Sequence, residues 1–218
     1  MPGLQPRTAS RLWAVTIVVA IAVLITVLPR RYHVVPTWFG YVGVVAMVVP
    51  MLYGALWQST GPWRRIERYA EFFAVGAALF INICNLLVAA YNLIEHPSKL
   101  EPVPLFYTSV GIWLGNVLIF TLLYWLVDCG GPDARLAAPD CGHPDFVFPA
   151  MDDPAHAVPN WRPSMMDYLF LSFTTSTAFS PTEAMPFTGR AKMLVMSQSS
   201  ISLVTIAIVA ARCINILK

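Results

Sequence analysis

Asp167-Tyr-Leu-Phe-Leu-Ser-Phe-Thr-Thr-Ser-Thr-Ala-Phe-Ser-Pro-Thr-Glu183 decides how this chain is read, because an apolar segment long enough to cross a bilayer, Ala191 to Ala211, follows it closely. The first stretch is too short and too polar at its end to span, yet too apolar for an ordinary loop. A half-length helix, a hydroxyl-rich turn and a full span make the outline of a re-entrant pore loop. Polar backbone at membrane depth is tolerated only where it is buried in protein or lines a watery cavity. Function is therefore sought here.

Outward from that stretch, composition agrees. The 218 residues are 57% hydrophobic and 12% charged, with a mean hydropathy of +0.62. Soluble domains carry about 25% charged residues, so an integral membrane protein is expected. At roughly 20 apolar residues per helix, the chain holds about five spans: Leu12–Leu28, Trp38–Trp57, Tyr69–Ile94, Leu105–Val127 and Ala191–Ile214. The fold class is then all-α, with those spans plus one re-entrant half-helix in a lipid bilayer. The first apolar run is longer than a signal-peptide core, and no small-residue cleavage site follows at Leu28-Pro29-Arg30-Arg31, so it reads as a mature span. A formal charge of +2, with no basic patch interleaved with aromatics, gives no support for nucleic acid as a partner.

The spans themselves carry few ionisable groups. No series of arginines at every third position marks a voltage sensor, and no cluster of titratable groups at membrane depth supports an enzyme. No cofactor or metal site is expected. Asn82, Asn85 and Asn92 share a helical face that should point into the protein, as interhelical hydrogen-bond donors or as a transport site. Gly111-Ile-Trp-Leu-Gly115 is either a close-approach motif or a chance pair. The last span carries Ser197, Gln198, Ser199, Ser200, Ser202 and Thr205, which suits a water-lined path or tight packing.

Within the decisive stretch, Ser164 is placed to cap a helix with Asp167 at its third position, close to a capping box. The helix should run from Met165 to about Ser176, roughly 18 Å, about half of a 30 Å hydrocarbon core. It ends in Thr174-Thr175-Ser176-Thr177, and Pro181 forbids continuation. The carbonyl end of such a helix favours a cation.

From Ser172 to Arg212 the chain resembles the pore module of bacterial potassium channels, in which a pore helix leads to a Thr-Thr-Val-Gly-Tyr-Gly-Asp filter, then Pro-x-Thr, a basic residue and the inner helix. Thr177-Ala178-Phe179-Ser180-Pro181-Thr182-Glu183 occupies the filter position; Pro186 and Thr188 match Pro-x-Thr; Ala191-Lys192 matches the opening of the inner helix; Ala211-Arg212 matches its cytoplasmic end. The resemblance implies two regions: a three-helix membrane region over 1–104, and a pore module over 105–218 with a long external loop, 128–163. It also implies a homo-oligomer, a tetramer ahead of a dimer, in a bacterial inner membrane. The whole chain is similar, too, to uncharacterised bacterial polytopic membrane proteins that end in such a degenerate loop.

The departure from the channel pattern matters more than the match. Ser180 and Thr182 stand where the filter glycines belong, and Pro181 replaces the tyrosine. Glycine supplies the alternating backbone handedness that aims successive carbonyls at the axis, whereas Pro181 drives Ser180 towards extended conformations. A four-site potassium filter cannot be built from this sequence. What is expected instead is a passive pore for monovalent ions with a weak cation preference. Asp167, Thr174 and Thr175 lie on the pore helix, Thr177 and Ser180 at the constriction, Glu183 as an acidic ring at the mouth, and Ser202 and Thr205 on the inner helix. The alternative is a non-conducting structural or accessory protein on the same architecture, with Ser180-Pro181-Thr182-Glu183 a rigid helix-restarting turn.

Cys129 and Cys141, in the long loop, are expected to form a disulfide if that loop faces an oxidising compartment, with a zinc site including His143 and His156 a weaker alternative. Orientation is in conflict. The resemblance puts the filter outside and, by span count, places Arg64, Arg65 and Arg68 outside as well, whereas the positive-inside rule prefers those arginines in the cytoplasm.

Overall fold

The computed structural model describes residues 6–27, 45, 48–49, 61–95, 102–137, 142–152, 161–178 and 184–216. The expected second span, Trp38–Trp57, lies outside the described residues except for helical positions at 45 and 48–49. In chain order the elements are α1 (Pro6–Val27), α2 (Gly61–Glu95), α3 (Pro102–Val127), a 3-10 turn (Asp128–Gly130), α4 (Pro132–Ala137), β1 (Phe146–Val147), α5 (Pro149–Asp152), α6 (Met165–Ala178), β2 (Met185–Pro186) and α7 (Gly189–Ile216). Among the described residues, three helical segments are long and apolar enough to cross a membrane: Arg65–Glu95, Val103–Gly130 and Gly189–Ala211. The apolar part of α1, Arg11–Leu24, is a shorter helix.

The start signals are local. Pro62 and Pro102 sit in the first turns of α2 and α3, where a missing backbone N–H costs nothing. α3 is apolar around its whole circumference and becomes the central helix: 72% of its apolar window is buried, against 28% for α2 and 22% for α7. Phe120, Leu122, Tyr124, Trp125 and Leu126 of α3 form the middle of the core with Ile17 and Val18 of α1, Val75 of α2, Tyr168 and Leu171 of α6 and Val195 of α7.

Gly115 of α3 sits at a close contact with a neighbouring helix. A Cβ there would lie 3.0 Å from Asn82 Oδ1, so a side chain would crowd Asn82 of α2, while a Leu24 methyl of α1 lies at ordinary contact, 3.8 Å. At that contact Asn82 Nδ2 donates to the Ile112 carbonyl at 3.3 Å. Asn82 thus acts as a hydrogen bond between helices, and Gly115 is the position that lets it approach.

α2 starts eight residues before the apolar run Tyr69–Ile94, and its charged beginning meets α1 through Glu67. Buried Arg11 of α1 pairs with buried Glu67 of α2 and reaches Asp133 of α4 at 3.4 Å. The beginnings of α1 and α2 therefore lie beside the end of α3, which runs antiparallel to both. Arg65 and Arg68 consequently share one end of the bundle with the acidic loop, as the span count implies.

At that end the chain builds a cap. α3 stops in a left-handed run, Cys129 (φ 52°), Gly130 (φ 75°) and Gly131 (φ 99°). A Cβ on Gly131 would stand 3.0 Å from the Leu126 carbonyl, so only glycine fits. The turn aims the wholly buried Asp128 carboxylate inward, where it accepts the backbone N–H groups of Asp145 (3.0 Å) and Phe146 (3.3 Å) and the Tyr168 hydroxyl (2.6 Å). Arg135 of α4 donates to the Asp128 carbonyl at 2.6 Å and lies over the Tyr168 ring. Asp145 in turn accepts Arg190 Nε and Nη2 at 2.5 Å each and the Thr188 hydroxyl at 2.5 Å, while β1 pairs antiparallel with β2. The cap is thus bolted to the starts of both α6 and α7.

Burial pushes the Asp145 carboxyl up. Hydrogen bonds from Arg190 and Thr188, the Arg190 charge and a backbone hydrogen bond from Cys129 outweigh that, and hold its pKa below the ordinary aspartate value. A carboxyl whose pKa is depressed by folding adds stability above the unfolded value, about 3.9, and loses it as pH falls through the folded value. Limited proteolysis of the 142–152 segment should therefore be unchanged between pH 7 and 5 and rise only below about pH 4. In Arg190→Met, which removes the main depressing partner, that acid-induced rise should shrink or vanish. An identical pH profile in the variant would mean Arg190 does not hold Asp145.

Candidate functional site

The site is α6 and its cradle. Pro163 ends the preceding segment and Ser164 caps the helix: the Asp167 carboxylate accepts both the Ser164 backbone N–H (2.6 Å) and the Ser164 hydroxyl (2.7 Å). The return bond from the third helical position is that of a capping box, with aspartate in place of glutamate. The helix spans 14 residues, about 21 Å at 1.5 Å per residue, two residues longer than its sequence suggests. Tyr168 fixes its start to Asp128 at the end of α3. At its other end Trp113 Nε1, near the middle of α3, donates to the Ser176 carbonyl at 3.4 Å. α6 therefore begins at the capped end of the bundle and stops at half the height of α3.

One face of α6, carrying Ser172, Thr175 and Ser176, is wholly buried against α3 and α7. Gln198 of α7 sits at the centre of this contact. Its Nε2 donates to the Ser172 carbonyl (2.9 Å), Ser172 Oγ (2.7 Å) and Ser176 Oγ (2.8 Å), two hydrogens shared among three acceptors. Its Oε1 accepts the Tyr124 hydroxyl of α3. Ser172 Oγ donates onward to the Val117 carbonyl at 2.7 Å, and Asn116 Nδ2 donates to the Gln198 carbonyl (3.2 Å) and Ser202 Oγ (2.9 Å). Buried amides and hydroxyls are costly unless paired, so this network locks three helices in one register.

The residues singled out from sequence divide in three. Thr175, Ser202 and Thr205 point into the chain's own core. Thr174 is half-buried and Thr177 exposed, each hydroxyl donating to carbonyls one turn back. Ala178 is the last residue of α6; Phe179, Ser180, Pro181, Thr182 and Glu183 lie outside the described residues. On α7 the exposed hydroxyls are Ser197 and Ser200, which donate to Met193 and Met196 carbonyls. Thr188 caps α7 by accepting the Ala191 N–H at 3.3 Å, so the Pro186-x-Thr188 step is a helix start tied to the cap through Asp145.

Sequence reasoning missed the roles of Gln198, Asn116 and Tyr124, and those of Asp128 and Asp145. The available signal was a polar residue in or at the edge of each apolar run. Cys129 is disulfide-bonded, and its partner, like Cys141 itself, lies outside the described residues. His143 is exposed. Among the described residues no group of three or more His, Cys, Asp and Glu could hold a metal.

Compared with known proteins, the chain matches no family model, no curated protein and no solved structure. The class that the geometry defines is a helical bundle with, among the described residues, three segments long and apolar enough to span a membrane, and a shorter helix held between two of them.

Proposed function

We propose that the chain is a multi-pass protein of a bacterial inner membrane that works as a channel-like passive pore with a weak preference for cations, assembled from identical copies, four ahead of two. The observation that carries this reading is α6: a helix about two thirds of a hydrocarbon core long that stops beside Trp113, mid-way along a spanning helix. The hydroxyl-rich end that follows cannot face lipid, so it requires protein or water around it. Thr177, Ser180 and Glu183 are the residues assigned to that path. Because Ser202 and Thr205 are taken up inside the chain, the inner part of the path is assigned instead to the exposed hydroxyls Ser197 and Ser200.

A second reading, a non-conducting structural or accessory protein, is favoured by the Gln198 network, which binds the buried hydroxyls of α6 within the chain. Flux from proteoliposomes under separate K⁺, Na⁺ and Cl⁻ gradients separates the two. A conducting pore predicts wild-type flux that favours cations, a reduced cation preference in Glu183→Gln and altered flux in Pro181→Gly. No flux from well-folded protein under any gradient would select the non-conducting reading. An unchanged reversal potential in Glu183→Gln would remove Glu183 from the mouth.

A further inference from the structure

α2 keeps one long face out of the bundle. Ile66, Phe73, Phe80, Leu87 and Ile94 recur at every seventh residue along it, and each is between 56% and 76% exposed. Two positions after the middle three, Val75, Asn82 and Ala89 are buried on the side that packs within the chain. Two residues turn a helix by about 200°, so the ridge stands opposite that contact. Between its rungs lie Tyr69, Gly76, Ile83 and Ala90, three residues after each of the first four. This is the a and d pattern of a coiled-coil seam over four heptads, with no charged residue at either position.

Gly76 is the position that the chain's own packing leaves unexplained. Glycine inside a helix is destabilising relative to alanine. Gly115 has Asn82 against it, whereas no described atom lies within 4 Å of where a Gly76 Cβ would stand. Gly76 is exposed and is flanked along the ridge by Phe73 and Phe80. Small residues at such positions let a second backbone come close in a membrane. Lipid sets no period on the residues it touches. A straight helix drifts about 20° per heptad, so five large side chains at intervals of seven spread over ~80° of its surface unless it winds around a partner.

We propose that this ridge is the seam of a homodimer, with α2 of one copy supercoiled left-handed around α2 of a second copy. Copies sharing one membrane orientation are related by a two-fold axis along the bilayer normal, so the two helices run parallel and each residue meets its equivalent. In that register Phe73 and Phe80 each enter a hole with Gly76 of the second copy at its rim, which leaves room for the rings. With Tyr69 and Ile83, the ridge offers on the order of 700 Å² per copy, close to the roughly 800 Å² a side of a standard-size interface. The seam rests on the chain's placement in a membrane, as proposed above, and not on conduction. It pairs copies two by two, whatever further assembly the path along α6 requires.

The test is cysteine cross-linking of the full chain in proteoliposomes, with Cys84 and Cys213 replaced by alanine so that the disulfide of Cys129 remains. On mild oxidation by copper phenanthroline, Phe73→Cys, Phe80→Cys and Leu87→Cys should each form disulfide-linked dimers, whereas Val19→Cys, exposed on α1, should not. Gly76→Leu, at a position open to the outside, should weaken self-association about tenfold, the effect of a modest overpacking, read by energy transfer between labelled copies at increasing dilution in lipid. Thermal unfolding of that variant in dilute detergent should be unchanged or raised, since leucine is the better helix former. Cross-linking at Val19→Cys equal to that on the ridge would mark random collisions and overturn the seam. Unchanged self-association in Gly76→Leu would overturn it as well. A wild-type chain that stays monomeric at high protein-to-lipid ratio would do the same, and would leave the face to lipid or to a different protein.

Discussion

Replacing Asp128 with alanine is expected to destabilise the folded chain by about 3–5 kcal/mol, the cost of leaving a buried charge without its partner. Asp128 is wholly buried, and its carboxylate lies 3.9 Å from the largely buried Arg135 guanidinium while receiving two backbone N–H groups and one phenol. Alanine supplies none of these acceptors. The amide introduced by Asp128→Asn keeps a carbonyl oxygen for the Asp145 and Phe146 N–H groups. It loses the oxygen that accepts Tyr168 and the charge facing Arg135, so a smaller loss, about 1–3 kcal/mol, is expected there. Thermal unfolding in one detergent, read by circular dichroism, gives the order wild type, Asp128→Asn, Asp128→Ala. Equal unfolding temperatures for all three would mean the cap is not fastened at Asp128. The start of α6 is fastened at the same point, so flux, where present, should fall with stability.

Gln198→Leu is expected to cost about 2–3 kcal/mol, roughly 1 kcal/mol for each polar group it strands inside the bundle. Leucine nearly matches the volume of glutamine, which keeps the cavity contribution small, but the Tyr124 hydroxyl loses its acceptor and the Ser176 hydroxyl its donor. Ser172 keeps its bond to the Val117 carbonyl, which bounds the loss. The double variant Gln198→Leu with Tyr124→Phe should be less destabilised than the sum of the two singles, because the phenylalanine removes the stranded hydroxyl. Strict additivity would show that Gln198 and Tyr124 do not share an energetic contact. Unfolding in mixed micelles of increasing denaturing detergent measures all four proteins on one scale.

Much of the helical framework is legible one residue at a time. The apolar run from Leu105 to Val127 and the Ser164–Asp167 cap require only neighbours in sequence, and they match α3 and α6 with small shifts at the ends. The Thr188 cap is local too. The start of α2 is harder to read, since nothing local says that charged residues from Arg64 to Glu71 remain helical. Arg11, distant in sequence, supports that start by pairing with Glu67 while also reaching Asp133.

The candidate site divides along the same line. That a short apolar helix ends in hydroxyls before a spanning helix is plain from the order of residues 165 to 211. Which hydroxyls remain outside is not, because Ser197, Ser200, Ser202 and Thr205 look alike in sequence and only the rotation of α7 against α3 separates them. That rotation is set by Gln198 reaching Ser172 and Ser176 and by Asn116 reaching Ser202, contacts between helices far apart in the chain. The sequence by itself determined the helical class, the apolar lengths and the half-length of α6, since these follow from composition and local capping. Only the tertiary structure decided the partners of Asp128, Asp145 and Gln198, because a buried polar group is satisfied or stranded by whatever side chain the packing brings to it.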